Sequence, residues 1–284
     1  MNKSISKKLT IILIAYKSEK IINAFVKKIP NNIKVIIVEN SNNLLLKKQV
    51  EKKYRNIKVF IKKNDGVSSS INFGVKRIKT KYFLQVSPDI LFNYEDLNSF
   101  FDLAKTLKDK FSAIGPRFLN VKTKSHKQIE SNLDIGQINS IHGSFMFINK
   151  KRFKEIGGFD DNFFLYFEET DYCKRGKIKN LNSYQINAIK VRQKGRTVNI
   201  TNKIESKKLS NLLSWHYIWS EFYYHKKYKG FAITVLHFGP LLIRTIFKII
   251  MNKIIMNEKQ LQKYLHRLQG LMASIKGQKS YLRL

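Results

Sequence analysis

One cysteine, Cys173, stands in 284 residues, so neither a disulfide framework nor a multi-cysteine zinc site can be built. A reducing compartment fits that usage. Prolines number four, and only 20 acidic residues face 54 Lys and Arg, leaving a formal net charge of +34. Long uncharged runs are also missing. In the apolar C-terminal part the longest, Gly230–Ile243, has 14 residues and contains Gly239-Pro240, whereas a membrane span needs about 20. What is plentiful excludes a disordered basic tail, because 43% hydrophobic and 12% aromatic residues supply a core that such tails lack. The length suits one large domain, or one domain with an appendage.

The charge is broad rather than local. Lys outnumbers Arg 44 to 10, and Ile and Asn are abundant while Ala is scarce, a bias that matches AT-rich codons. Residues 1–202 carry +22 and residues 203–284 carry +12, so no block forms a basic arm. Such a surface attracts polyanions and anionic lipid. A basic nucleic-acid-binding protein is therefore one hypothesis, although no nucleic-acid motif or charge stripe supports it.

The N-terminus, with Lys3, Lys7 and Lys8 before an apolar run, resembles a signal peptide. The run ends in Lys17 without a small-residue cleavage site, and a buried first strand is the better reading. Continuous apolar runs recur at Leu9–Ala15, Ile33–Val38, Ile57–Ile61 and Tyr82–Val86, each too short for a helix. Apolarity without alternation means burial on both faces, as in a parallel sheet covered by helices. Helical stretches lie between them at Ser18–Ile29, Asn43–Tyr54 and Val67–Ile78. This alternation predicts a doubly wound α/β domain with a mostly parallel central sheet. Ligands in such sheets bind beyond the carboxyl ends of the strands. Those ends read Ala15-Tyr16, Glu39-Asn40-Ser41, Asn64-Asp65-Gly66 and Ser87-Pro88-Asp89. From about residue 205 the texture becomes helical, aromatic and cationic. The expected division is thus an α/β domain over 1–204 and an amphipathic helical region over 205–284. Arg244, Lys248, Lys253 and Arg267, with Trp215, Trp219, Tyr223 and Tyr224, suit helices lying in a membrane interface; a helical cap or a dimer surface is the alternative.

In so basic a chain the placement of acids is informative. Five of the twenty fall between Asp160 and Asp171, in a segment that runs from Gly157-Gly158-Phe159 to Tyr172-Cys173. Aromatics delivering adjacent carboxylates can hold one in a partly apolar setting, which raises its pKa toward that of a general base. Glu168, Glu169 and Asp171 also suit a helix N-terminus, where the dipole favours negative charge. Asp89, after a strand and introduced by Pro88, can hold a divalent cation beside a diphosphate, or simply open a turn. Glu39 ends its strand as an acceptor for ribose hydroxyls or a base N–H. Cys173 has no base placed to activate it.

Taken in order, these residues resemble a family-2 glycosyltransferase with the GT-A fold, close to a rhamnosyltransferase-like branch. Ile11–Ser18 is similar to the family's opening strand and loop, and Ile36–Ser41 to the strand ending in Asp-Asn-Ser, with Glu39 in place of Asp. The series Asn64-Asp65-Gly66, Asn72-Phe73-Gly74 and Ser87-Pro88-Asp89 resembles the two Asn-x-Gly motifs and the Asp-x-Asp motif. Gly143, Met146 and Ile156–Arg175 resemble the Gly-Gly-Phe-Asp to Glu-Asp-x-Asp pattern that borders the acceptor. The match covers about residues 9–200.

The resemblance implies an inverting transfer from a dTDP-, UDP- or GDP-linked sugar to a growing lipid-linked or cell-surface glycan. The enzyme would work in the cytoplasm, peripheral to the inner face of the cell membrane, with no nucleic acid as partner and with a homodimer as one oligomeric option. It implies Glu169 as base, with Glu168 and Asp171 as competitors. It places Ala15, Tyr16, Glu39, Asn64, Gly66, Asn72 and Ser87 along the nucleotide, and His142, Gly143 and Ser144 at donor sugar and acceptor. A divalent cation, Mn2+ or Mg2+, would sit at Asp89 and Gln193. Three positions depart from the pattern. Ser87 replaces the first Asp of Asp-x-Asp, Gln193 stands where a metal-ligating His is frequent, and Glu169 stands where Asp is frequent. An amide suits Mg2+ better than Mn2+. Lys194 and Arg196 could take over part of the diphosphate charge. The first two departures motivate a third hypothesis, a catalytically degenerate scaffold.

Overall fold

The computed structural model describes residues 6–120, 128–130, 132–195, 198 and 202–283. Two compact units emerge, Met1–Asp160 with Glu168–Asn199, and Asp161–Phe167 with Ile200–Leu284.

The first unit is built from the apolar runs. They form β1 (Leu9–Ala15), β2 (Lys34–Glu39), β3 (Ile57–Ile61) and β4 (Tyr82–Val86), joined by α1 (Glu19–Val26), α2 (Leu44–Lys53) and α3 (Val67–Val75). These strands are parallel in the order β3-β2-β1-β4, with Ile11 opposite Val35 and Ile12 opposite Gln85. The chain then adds β5 (Ile90–Leu91), α4 (Leu97–Thr106), β6 (Ile114–Phe118), β7 (Ile135–Ile138), β8 (Phe145–Asn149), α5 (Lys150–Ile156), α6 (Glu168–Ile178) and β9 (Ser183–Gln193). The order continues β4-β8-β6-β9-β5, with β7 beside β9. β8 runs antiparallel to both neighbours, so the sheet is mixed although its first half is wholly parallel.

Side chains alternate between two apolar layers. Leu9, Ile11 and Leu13 face the layer of Phe25, Leu46, Val50, Leu97 and Phe100, whereas Ile12 faces that of Ile71, Val75, Phe153, Ile156 and Tyr172. Helices α1, α2 and α4 therefore cover one face and α3, α5 and α6 the other, which is why the strands read as unbroken apolar runs. The abundant asparagines serve helix starts. Asn43, Asn149, Asn202 and Asn257 each accept a first-turn backbone N–H in their side chains, the contact an N-cap supplies.

The second unit contains α7 (Lys203–Lys229), α8 (Phe231–Ile254) and α9 (Glu258–Ile275). Helix α9 crosses α7 closely at Gly270, where a Cβ would lie 2.5 Å from the Trp215 carbonyl oxygen, so only glycine fits. Phe163 and Phe164 belong to this unit, Phe163 meeting Tyr223 edge-on and Phe164 stacking on His216. Tyr166 and Phe167, just before α6 in the chain, both hold a left-handed φ, +69° and +67°, which is strained for bulky residues. Gly239-Pro240, a pair that would ordinarily break a helix, does not interrupt α8. Pro240 sits inside a continuous α8 of 24 residues, long and apolar enough by length and composition to cross a membrane. Packing of Phe238 with Ile218, Phe222 and Leu271 outweighs the one helical hydrogen bond that proline removes.

Candidate active site

From β1 the strand order runs outward through β2 to β3, then restarts on the other side at β4. The carboxyl ends of β1 and β4 therefore diverge, leaving the crevice where open α/β sheets bind ligands. Tyr16 and Ser87-Pro88-Asp89 lie at those two ends.

On the β1–β2 side the loops are tied by polar contacts. Asn40 N–H donates to the Ala15 carbonyl (2.8 Å) and Lys17 N–H to Ser41 Oγ (3.2 Å). Glu39 is 1% exposed, and its carboxylate accepts from Ser41 N, Ser41 Oγ and Asn43 N, the last at 2.7 Å. It thus braces the loop that follows it. Asn40 Nδ2 donates to Ser70 Oγ (2.7 Å), which donates to the Gly66 carbonyl (2.8 Å) and so links β2 to the start of α3. Gly66 caps α3 with φ +101°, a conformation side-chain-bearing residues rarely adopt, and Asn64 is half-buried just before it. Asn40 Oδ1 and Ser68 Oγ are buried there without a hydrogen-bond partner.

Asp89 is 2% exposed, and neither carboxylate oxygen accepts a hydrogen bond of good geometry. Burial pushes its pKa above the ordinary carboxylate value, while the Gln193 side chain, its own backbone and that of Gly195 pull it part of the way back. The β5–β9 pairing sets Ile90 opposite Gln193, and Lys194 N–H donates to the Asp89 carbonyl (2.8 Å), so Gln193 lies beside Asp89. A buried carboxylate with no hydrogen bond of good geometry on either oxygen fits a divalent cation, with the Gln193 amide as its neighbour. Among the described residues no group of three His, Cys, Asp or Glu converges on one point, so the rest of any coordination sphere must come from elsewhere. Arg196 lies outside the described residues.

On the other side, Gln85 holds the loop before β8. It is 6% exposed and points into the α3–α5–α6 layer, its Nε2 donating to the Gly143 carbonyl, while Ser87 N–H donates to the Ser144 carbonyl (2.8 Å). His142 stacks on Phe118 with ring centroids 4.3 Å apart. Gly143 lies against Glu169: a Cβ there would meet Glu169 Cγ at 3.5 Å. Glu169 is 6% exposed and accepts from Thr170 Oγ1 (3.1 Å). Glu168 and Asp171 share the first turn of α6. Asp171 is fully buried, and Arg175 Nε donates to it at 2.7 Å while the other guanidinium nitrogens donate to the Ile156 and Gly158 carbonyls. That carboxylate is committed to a structural ion pair.

Asn72 faces the Gly-Gly-Phe-Asp turn: its Nδ2 donates to the Phe159 carbonyl (2.8 Å) and its Oδ1 accepts the Phe159 N–H (3.0 Å). Sequence reasoning missed this clamp, as it missed Gln85 and Arg175. The signal for Gln85 was available, a lone amide inside the otherwise apolar run Tyr82–Val86.

A parallel β3-β2-β1-β4 half-sheet, a lone buried carboxylate after β4, and an antiparallel β8 leading to an acidic helix define the GT-A class of fold. Residues 10–173, more than half the chain, match the family model described as Glycosyl transferase family 2, and the chain belongs to that family. Low-salt glycan biosynthesis hexosyltransferase Agl10 from Haloferax volcanii is 25% identical over 148 residues, 44% of this chain; the chain spans about half (48%) of that curated relative's length. The mannosyltransferase PcManGT from Pyrobaculum calidifontis, solved with GDP-Man and Mn2+, superposes with a TM-score of 0.60 at 10% identity, covering 98% of this chain and 90% of that one. Residues 1–349 of S. aureus TarS, solved with UDP, give 0.50 at 13% identity, covering 95% and 92%. At these identities the solved structures speak for the fold alone.

Proposed function

We propose that this protein is an inverting glycosyltransferase moving a hexosyl or deoxyhexosyl group, rhamnosyl among the candidates, from a nucleotide-diphosphate sugar to a growing lipid-linked or cell-surface glycan. The observation that carries the proposal is the buried Asp89 carboxylate, neither oxygen held by a hydrogen bond of good geometry, at the switch point of a family-2 fold. The relatives' hexosyl and mannosyl chemistry, and the Mn2+ and nucleotides bound to the solved structures, support the class of reaction. Tyr16, Asn64, Gly66 and Ser87 border the nucleotide, Glu39 holds the loop on that side through its own hydrogen bonds, the α3 N-terminus faces the phosphates, and His142–Ser144 border the donor sugar. Asn72 acts through the Phe159 turn.

Asp89, with Gln193 beside it, would hold the divalent cation. When bound, that ion offsets the negative charge of the diphosphate leaving group. Glu169 takes the proton of the acceptor hydroxyl. The oxygen forms its bond to the anomeric carbon as the bond to the diphosphate oxygen breaks on the opposite face, and configuration inverts. One base suffices, because no sugar–enzyme bond forms and the two-carboxylate scheme of hydrolases does not apply. The ion pair of Asp171 and the packing of Glu169 on Gly143 favour Glu169 in that role. The same reading has the enzyme work in the cytoplasm, peripheral to the inner face of the membrane, and the exposed apolar residues of α8 support the membrane part of it.

The test is a thermal-shift screen of UDP-, dTDP- and GDP-sugars with and without Mn2+, followed by donor turnover for wild type and Glu169→Gln. At least one donor raises the melting temperature with metal, and Glu169→Gln retains that shift while transfer falls about 10²- to 10⁴-fold. Retained turnover moves the base to Glu168. No donor shift, with tight salt-dependent binding to nucleic acid instead, overturns the proposal.

A further inference from the structure

Helix α8 presents an apolar face that stays exposed among the described residues. Leu236, Ile243, Phe247, Ile250 and Ile254 are all exposed, Leu236 at 77% and Ile243 at 71%. At 100° per residue they fall within one narrow sector of the helix. The opposite sector holds Thr234, Phe238, Thr245 and Asn252, all buried. There Phe238 packs on Phe222, with ring centroids 5.2 Å apart, and the polar groups are consumed locally. Thr234, Thr245 and Asn252 each donate to a backbone carbonyl four residues earlier. On the wheel Arg244 and Lys248 flank one shoulder of the apolar sector and Lys253 the other. Lys226, Lys227 and Lys229 end α7 directly before α8 begins.

We infer that α8 lies in the plane of an anionic bilayer, its Leu236–Ile254 ridge among the acyl chains and its flanking cations at the phosphate level. Length alone permits a span, since 24 residues extend about 36 Å. Three observations choose the in-plane arrangement. Arg244 lies near the middle of the helix, where a span would carry it to the bilayer centre. A line of residues on one side of α8, Thr234, Phe238, Thr245 and Asn252, is already packed within the helical unit, which leaves the opposite side for lipid. Besides Lys253 in the last turn, Arg244 and Lys248 sit within the length of the helix beside the apolar sector, and cations placed along the helix are the distribution of an interfacial one. Charge also selects the occupant, because three cations on the shoulders and +34 over the chain match phosphatidylglycerol-type headgroups better than a second copy of an equally basic chain. This deepens the peripheral placement proposed above and does not depend on the transfer chemistry.

The experiment is flotation of the full chain with phosphatidylcholine vesicles, with and without phosphatidylglycerol. Two variants accompany it: Leu236→Glu/Phe247→Glu and Arg244→Gln/Lys253→Gln. The native protein binds the anionic vesicles and is released by alkaline carbonate. The first variant loses about tenfold or more in binding, and the second loses its response to phosphatidylglycerol. Unchanged melting temperature and donor hydrolysis in both variants separate loss of docking from loss of fold or chemistry. Equal flotation of the Glu variant overturns the inference, as does carbonate resistance, which marks a span. A dimer that hides the ridge and leaves the native chain unbound overturns it too.

Discussion

Asp89→Asn should make the metal-free protein more stable while making it useless. The carboxylate is 2% exposed with no donor of good geometry on either oxygen, so its negative charge is poorly compensated in the absence of a ligand. Leaving a buried group unsatisfied costs about 1–3 kcal/mol, more when it is charged. Asn keeps the shape and one of the two polar demands but removes the charge, so the expected gain is about 1–2 kcal/mol. At about 2–4 °C per kcal/mol for a unit of this size, the midpoint rises by several degrees. The sign with pH follows from the direction of the shift. Burial raises the folded-state pKa above the unfolded value, so the folded wild type binds the proton more tightly and loses stability as pH rises between those two values. The advantage of Asn should therefore be full above the raised pKa and fade as pH falls toward the ordinary carboxylate value. Metal reverses the order: cation at about a hundred times its dissociation constant adds about 2.7 kcal/mol to wild type only. The assay is a set of thermal melts in chelator and in Mn2+ with a nucleoside diphosphate, at neutral and acidic pH. A variant that melts below wild type in chelator at neutral pH, or that gains as much from Mn2+, refutes the reasoning.

Gln85→Leu removes the donor that fixes the Gly143 carbonyl against Glu169. It should lower kcat about tenfold or more while donor KM changes little, a split that steady-state kinetics resolves and a general loss of fold would not produce. Arg175→Met strips the guanidinium from a fully buried Asp171 and from the Ile156 and Gly158 carbonyls, and should cost about 3–5 kcal/mol by urea unfolding. Adding Asp171→Asn to that variant should restore part of the loss, because the uncompensated charge is gone.

How much of this was legible depends on what each residue's neighbours are. Local composition sufficed for the first half of the sheet: the runs Leu9–Ala15, Ile57–Ile61 and Tyr82–Val86 coincide with β1, β3 and β4. Burial on both faces writes itself into consecutive residues. The insertion of antiparallel β8 between β4 and β6 was not legible, since Phe-Met-Phe-Ile-Asn gives no sign of its partners. The continuity of α8 through Pro240 was hidden for a similar reason. A proline's local cost is visible in the sequence, whereas the contacts of Phe238 with Phe222 and Leu271 that outweigh it come from two other helices.

The acids make the same point inside the site. Glu39, Asp89 and Asp171 are all buried carboxylates marked out by sequence as candidates, and each meets a different fate. Glu39 spends its oxygens on backbone N–H groups two and four residues on, a capping role that its place before Asn40–Asn43 could have suggested. Asp171 is answered by Arg175 one helical turn away, an i,i+4 pair open to inspection in the sequence. Only Asp89 is left without a strong partner, and that could not be read locally, because the residue brought beside it, Gln193, arrives from β9 more than a hundred positions later and is not a cation. What separates a structural carboxylate from a ligand-binding one in this chain is therefore the absence of compensation across the sheet. That is a tertiary property, and it is why Asp89, alone of the three, should gain stability when its charge is removed.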